Sequence, residues 1–219
     1  RSINAQMPDL ICFTGDLVTI GVEEAEPYTT ILRGLQATDG VVSVLGNHDY
    51  DMYMHCSKEK GAKLCRRTQD AERQLGWTLL MNEHRIVRRG GDSIVVAGME
   101  NWGSVKRMPR RGDVKKTLSG LAVSGEAPFI LMLQHDPTAW RRKILPECGA
   151  QLTLSGHTHG GQFSLLGWSP ASLTYDEWGG VTQEGRRTLN VSTGLFGLIP
   201  FRLGMPGEIV VITLRKTPN

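Results

Sequence analysis

The 219-residue sequence contains no run of 18 apolar residues, so nothing in it reads as a membrane-spanning helix. It shows no secretory signal pattern. Arg1 to Gln6 read as the end of a helix and Pro8 opens a strand at once, so the chain is met in mid-fold. Four cysteines are present, Cys12, Cys56, Cys65 and Cys148, and none forms a C-x-x-C pair, which argues against a cysteine zinc site. Cys12 lies in an apolar run and is expected to be a buried thiol. Cys56 and Cys65 share a polar segment and could pair in an oxidising compartment; their spacing leaves this open. The formal charge of +3 is too small to point to nucleic acid, and no nucleic-acid partner is expected. No repeat, low-complexity tract or linker interrupts the chain. No G-x-G-x-x-G follows a strand, which removes a dinucleotide-binding reading.

What is present is an ordinary globular balance, 40% hydrophobic and 21% charged residues, in a length that supports one sizeable core. Strand and helix signals alternate. Asp9 to Thr14 and Val41 to Leu45 read as strands with a helix over Glu23 to Ala37 between them, Ile31, Leu32 and Leu35 on its one face. Arg66 to Leu75 reads as a helix. Thr78 to Arg88 and Ser93 to Gly98 read as a hairpin around Gly90-Gly91-Asp92. Phe129 to Gln134 and Gln151 to Leu154 are buried strands flanking a helix over Pro137 to Ile144, and Thr188 to Ser192 and Glu208 to Leu214 are the last strands. This pattern predicts an α/β chain in which two packed sheets carry helices on the outside.

Four of these strands end alike, in a small or polar residue followed by metal-ligand types. They are Thr14-Gly15-Asp16, Gly46-Asn47-His48-Asp49, Gln134-His135-Asp136 and Gly156-His157-Thr158-His159. Ligands of open α/β sheets bind beyond the carboxyl ends of the strands, so four such ends can converge. Carboxylate, amide oxygen and imidazole suit manganese, iron or zinc. His157 and His159 lie two apart, and on an extended segment both point to one side. Singly each piece is compatible with a turn; the set of four points to a metal centre.

These motifs resemble the calcineurin-like metallophosphoesterase superfamily over nearly the whole chain. Gly40 to Tyr50, Leu154 to Gln162 and Pro200 to Pro206 with Glu208-Ile209 are most similar to a bacterial branch, many of whose members are tethered to a membrane by N-terminal helices. The resemblance implies a four-layer α/β/β/α sandwich of two mixed sheets. It implies two divalent metal ions, manganese, iron or zinc. Asp16 would bridge them, Asn47, His135 and His157 would complete one shell, and His159 would bind the other ion. His48 would face the phosphate as acid or transition-state stabiliser, Asp49 would orient it through the far ring nitrogen, and Arg202 would bind substrate. The superfamily begins with an Asp-x-His motif upstream of Gly-Asp, and none precedes Asp16 here. The expectation is therefore a single domain, residues 1–219, truncated at its N-terminus and lacking its first strand.

The implied activity is hydrolysis of a phosphodiester, phosphomonoester or pyrophosphate by a water activated between two metals. Gly15-Asp16-Leu17-Val18-Thr19-Ile20-Gly21 lacks the Gly-Asp-x-Val-Asp-Arg-Gly text of the protein phosphatases, which argues against a phosphoprotein substrate. The apolar stretches Phe163 to Trp168 and Leu195 to Phe201 raise a lipid-linked substrate, such as a nucleotide-sugar pyrophosphate, against the alternative of core or subunit contact. A metal-binding scaffold without turnover is the other class left open. The resemblance places the protein in bacteria, either cytoplasmic or membrane-associated through a segment absent from this sequence.

Overall fold

The computed structural model describes residues 1–50, 53, 56–121 and 127–216. Two sheets pack face to face. The first is parallel, in the order β1 (Ile11–Phe13), β2 (Val41–Ser43) and β3 (Thr78–Leu79). Between β1 and β2 lies the short helix α1 (Thr29–Arg33), and between β2 and β3 the long helix α2 (Lys58–Gln74). The second sheet is mixed. It runs β4 (Glu83–Arg89), β5 (Asp92–Gly98), β6 (Phe129–Leu133), β7 (Leu152–Ser155), β9 (Arg187–Val191) and β8 (Gly180–Glu184), antiparallel only at its two outer pairs.

Period-two alternation decides what each face of the second sheet meets. Val96, Leu131 and Leu133 point inward and pack with Val42, Val44 and Leu80 of the first sheet. Val95, Ala97, Ile130 and Met132 point outward onto Trp140 and Ile144. On the far side of the first sheet, Leu45 and Leu79 pack with Cys65 of α2. The layers are thus helix, sheet, sheet and helix, as expected. No helix among the described residues is long and apolar enough to cross a membrane.

Several local expectations are corrected. The single helix over Glu23 to Ala37 is broken into two 3-10 turns, Val22–Glu24 and Glu26–Tyr28, followed by α1. Pro27 interrupts the hydrogen-bond ladder, and Glu24 folds back to accept the amides of Thr19, Ile20 and Gly21. Ile31 is consequently 68% exposed rather than part of a buried face. The strand over Thr78 to Arg88 is two strands in different sheets. Asn82, in the left-handed region, turns the corner and accepts the amides of Glu100 and Asp113. The helix over Arg66 to Leu75 begins earlier, capped by Ser57. The helix expected over Pro137 to Ile144 has a π-helical core, Trp140–Ile144, and continues as α4 (Leu145–Glu147). Glu208 to Leu214 joins no ladder among the described residues; Ile209 to Ile212 stay 38–63% exposed and line a cleft that β1 also lines. The short helix α3 (Val114–Thr117) was not expected. Cys56 and Cys65 are not joined in a disulfide, and Gln69 donates to Cys65 Sγ; burial pushes the Cys12 thiol up to about 12.

Candidate metal centre

Strands β1, β2, β6 and β7 are parallel within their sheets, and their carboxyl ends open toward one place. Asp16 follows β1, Asn47 follows β2, His135 follows β6 and His157 follows β7. The turns that deliver them are tight. Gly15 has φ +100°, and a β-carbon there would lie 2.4 Å from the Gly46 nitrogen. One built at Gly46 would lie 2.1 Å from Asp16 Oδ1. The two loops therefore approach more closely than any side chain allows. Asp16, His157 and His159 all adopt positive φ, the kind of backbone strain that structures retain at functional sites.

Three ligand atoms meet around a fourth, His135 Nε2. Asn47 Oδ1 lies 3.0 Å away, Asp16 Oδ2 3.1 Å and His157 Nδ1 3.1 Å. Neighbours set the tautomers. His135 Nδ1 is 2.7 Å from the Thr14 carbonyl, which can only accept, so Nδ1 carries the proton and neutral His135 turns a lone pair on Nε2 toward the cluster. Asn47 donates its amide to the Tyr53 hydroxyl at 2.8 Å, which aims Oδ1 inward. His157 Nε2 is 2.7 Å from the Tyr175 hydroxyl, leaving Nδ1 for the cluster. Asp16 Oδ2 is buried and accepts no hydrogen bond of good geometry. With His135 neutral, the cluster is a set of converging lone pairs that fits a cation, and carboxylate, amide oxygen and two imidazoles fit a borderline divalent one.

The charges of the cation-free cluster follow. Burial disfavours charge on His135, but the Asp16 carboxylate outweighs it and pushes the imidazole up to about 9. Burial likewise opposes the Asp16 charge, and contact with His135 and His48 overrides it, holding the carboxyl down at about 2. Burial and the positive His135 hold His157 down at about 3. A metal must therefore displace the His135 proton. Metal binding near pH 7.5 is expected to release close to one proton, and affinity to rise up to about tenfold per pH unit until about pH 9. Titration calorimetry in buffers of different ionisation enthalpy measures this; binding without proton release would remove His135 Nε2 as a ligand.

The remaining expected residues are placed differently. His159 stands outside the group formed by Asp16, His135 and His157, and burial holds its imidazole below the usual range. His48 donates its backbone amide to Asp16 Oδ1, and its Nδ1 faces the Thr19 carbonyl at 2.7 Å. The expected hydrogen bond from Asp49 to His48 is not made. Asp49 accepts the amides of Asp16, Leu17, Val18 and Gly46 instead, so its carboxylate ties the first two ligand loops together. Burial and the nearby Asp16 charge push that carboxyl up to about 7. Orientation of His48 falls to Thr19 and to Tyr53, which stacks on its ring at 4.2 Å. Arg202 turns its guanidinium onto the carbonyls of His159, Thr193 and Phe196. Tyr53 and Tyr175 escaped the sequence reading because neither belongs to a ligand motif.

Beside the cluster runs a cleft of about 2000 Å³ whose walls include Asp16, His48, His157, His159, Leu195 and Phe196. A two-sheet α/β sandwich with a buried oxygen and nitrogen cluster at its parallel strand ends defines a metal-dependent hydrolase class. Residues 1–161 match the model of the calcineurin-like phosphoesterase family, and the chain belongs to that family as a metallophosphoesterase. It is 30% identical to an uncharacterized metallophosphoesterase, YkuE, of Bacillus subtilis, over 99% of this chain and 71% of that protein. It is 26% identical to one from Aquifex aeolicus, over 100% of this chain and 77% of that protein. A transmembrane protein with metallophosphoesterase domain from Danio rerio is 28% identical over 98% of this chain, which spans 47% of it. The solved structure of Thermus thermophilus sulfate thiohydrolase SoxB superposes with a TM-score of 0.51 at 16% identity, over 87% of this chain and 35% of that one, a likeness of fold.

Proposed function

We propose that the protein hydrolyses a phosphoester by in-line attack of water at phosphorus, with Asp16, Asn47, His135 and His157 holding the first of two divalent cations. The observation that carries this is the convergence of three ligand atoms on a fourth, His135 Nε2, each residue having its other polar atom engaged elsewhere. A bound cation polarises a phosphoryl oxygen and lowers the pKa of water. The protein supplies the rest. Thr19 holds the proton of His48 on Nδ1, so a protonated His48 presents Nε2–H for donation to the leaving oxygen. Tyr53 keeps that ring beside Asn47. His48→Ala is expected to retain bound metal and lose about 100-fold in turnover. Metal content and hydrolysis of p-nitrophenyl phosphate and bis-p-nitrophenyl phosphate test this together; loss of metal would make His48 a ligand.

The second cation site draws on His159 and a share of Asp16, with further ligands from a strand seated in the cleft. Residues 1–219 are then one domain short of that strand. Two features support the reading: among the described residues β1 has a ladder partner on one edge only, and Glu208 to Leu214, which belongs to no strand, lines the same cleft as β1. Residues 1–219 alone are expected to bind one equivalent of metal tightly, and a longer chain carrying Asp-x-His two. Two tight equivalents on residues 1–219 would overturn this.

The substrate is a phosphoester with an apolar group. Leu195, Phe196 and Leu198 line the cleft that holds the metal cluster, and all three are more than 60% exposed. Phe163 to Trp168 do not line it, but Phe163 bridges to Leu203 beyond the same loop. A membrane-associated setting agrees with the relatives named as transmembrane proteins.

A further inference from the structure

The loop 195–203 beside the metal cluster is built inside out. Its apolar side chains face solvent, with Leu195 62%, Phe196 76%, Leu198 64% and Phe201 62% exposed, so hydrophobic burial does little to hold it. It is held from beneath by polar atoms. Gln162, 4% exposed and in the left-handed region, lies three residues after His159. Its Nε2 donates to the carbonyls of Ile199 at 2.8 Å and Phe201 at 2.9 Å, and its Oε1 accepts the Ile199 amide at 3.0 Å. Its own carbonyl accepts the Leu203 amide at 2.9 Å. Both amide donors are used and both are aimed at carbonyls of one loop. Gly197 packs on the same side chain so closely that a β-carbon there would lie 2.2 Å from Gln162 Cδ. The loop in turn is tied to the turn that carries His159, because Arg202 donates to the carbonyls of both His159 and Phe196.

We infer that Gln162 is a positioning residue that fixes the apolar 195–203 loop on the His157-Thr158-His159 turn and thereby sets the preference of the site for phosphoesters carrying an apolar chain. The inference rests on the proposed phosphoester hydrolysis and deepens it. An amide is the side chain the place requires. A carboxylate of the same shape would set its oxygens against the carbonyls of Ile199 and Phe201 with nothing to donate. Gln162 reaches no reacting atom; it acts through the loop, by holding Leu195, Phe196 and Leu198 at the mouth of the cleft.

The test compares Gln162→Glu and Gln162→Ala with the unaltered protein on two diesters sharing one leaving group, methyl p-nitrophenyl phosphate and dodecyl p-nitrophenyl phosphate. Both variants are expected to raise KM for the dodecyl ester at least tenfold while kcat on the methyl ester stays within about threefold and metal content is unchanged. Equal losses on both esters would overturn the inference, since a merely structural residue does not distinguish chain length. Hydrogen exchange read by mass spectrometry supplies a readout independent of turnover. Peptides covering 195–203 are expected to exchange at least tenfold faster in both variants, with β6 and β7 unchanged. Unchanged exchange in the loop would overturn the positioning role. An unaltered protein inactive on both esters would count against the phosphoester reading, and the exchange result would still decide whether Gln162 holds the loop.

Discussion

Asp16→Asn is expected to empty the metal centre and lower turnover about 1000-fold or more, equivalent to about 4 kcal/mol of transition-state stabilisation. Asp16 is the only carboxylate among the four converging ligands, and its two oxygens have separate duties. Oδ1 accepts the His48 amide and so fixes the loop that carries Asn47 and His48. Oδ2 is buried against His135 Nε2 with no hydrogen bond of good geometry. An asparagine keeps the shape and loses the charge that offsets a dication. It also removes the main cause of the raised His135 imidazole, so the proton release expected on metal binding disappears with the metal. Elemental analysis, the hydrolysis assay and NMR titration of His135 report these losses separately. A fully loaded and active Asp16→Asn protein would show that the converging group is not the metal site.

The second large effect is expected at Gly46, a residue with no functional group. A β-carbon there would meet Asp16 Oδ1 at 2.1 Å and the Asp16 nitrogen at 2.6 Å. One contact is with a ligand and the other with backbone, so no flexible side chain can swing away to relieve both. Gly46→Ala is expected to lower turnover by at least about 100-fold through displacement of Asp16. It is also expected to cost about 1–3 kcal/mol of overpacking, or roughly 3–10 °C in melting temperature for a chain of this size. Gly40 is the control. Its φ is +82°, but a β-carbon there meets nothing within 4 Å. Gly40→Ala pays the left-handed backbone cost of about 1–2 kcal/mol and keeps its activity. Equal activity in the two variants would show that the contact between the β1 and β2 loops does not position Asp16.

Much of the fold was legible because it depends on short-range pattern. Apolar runs of Ile11 to Phe13, Val41 to Leu45 and Leu131 to Leu133 each end at a glycine or polar residue, and those ends carry Asp16, Asn47 and His135. Such a run can be read locally because a parallel strand covered on both faces is nearly continuously apolar. The break in the helix after Glu23 was written in Pro27, but the return of Glu24 onto three amides was not. The change of sheet at Asn82 could not be read, since its side chain satisfies groups 18 and 31 residues away.

At the site, the sequence alone determined which residue types are available and at which strand ends, because ligand chemistry belongs to the residue. The tertiary structure decided what each one does. Asp49 follows His48 directly and was expected to serve it, yet its carboxylate is taken by four amides of two loops. Arg202, expected to meet substrate, is turned onto backbone carbonyls. Tyr175 reaches His157 from a loop 18 residues on, and Gln162 spans 37 residues to hold Ile199. Hydrogen-bond partners at such separations are chosen by which loops the packed sheets bring together, and one chain without its fold carries no local record of that choice.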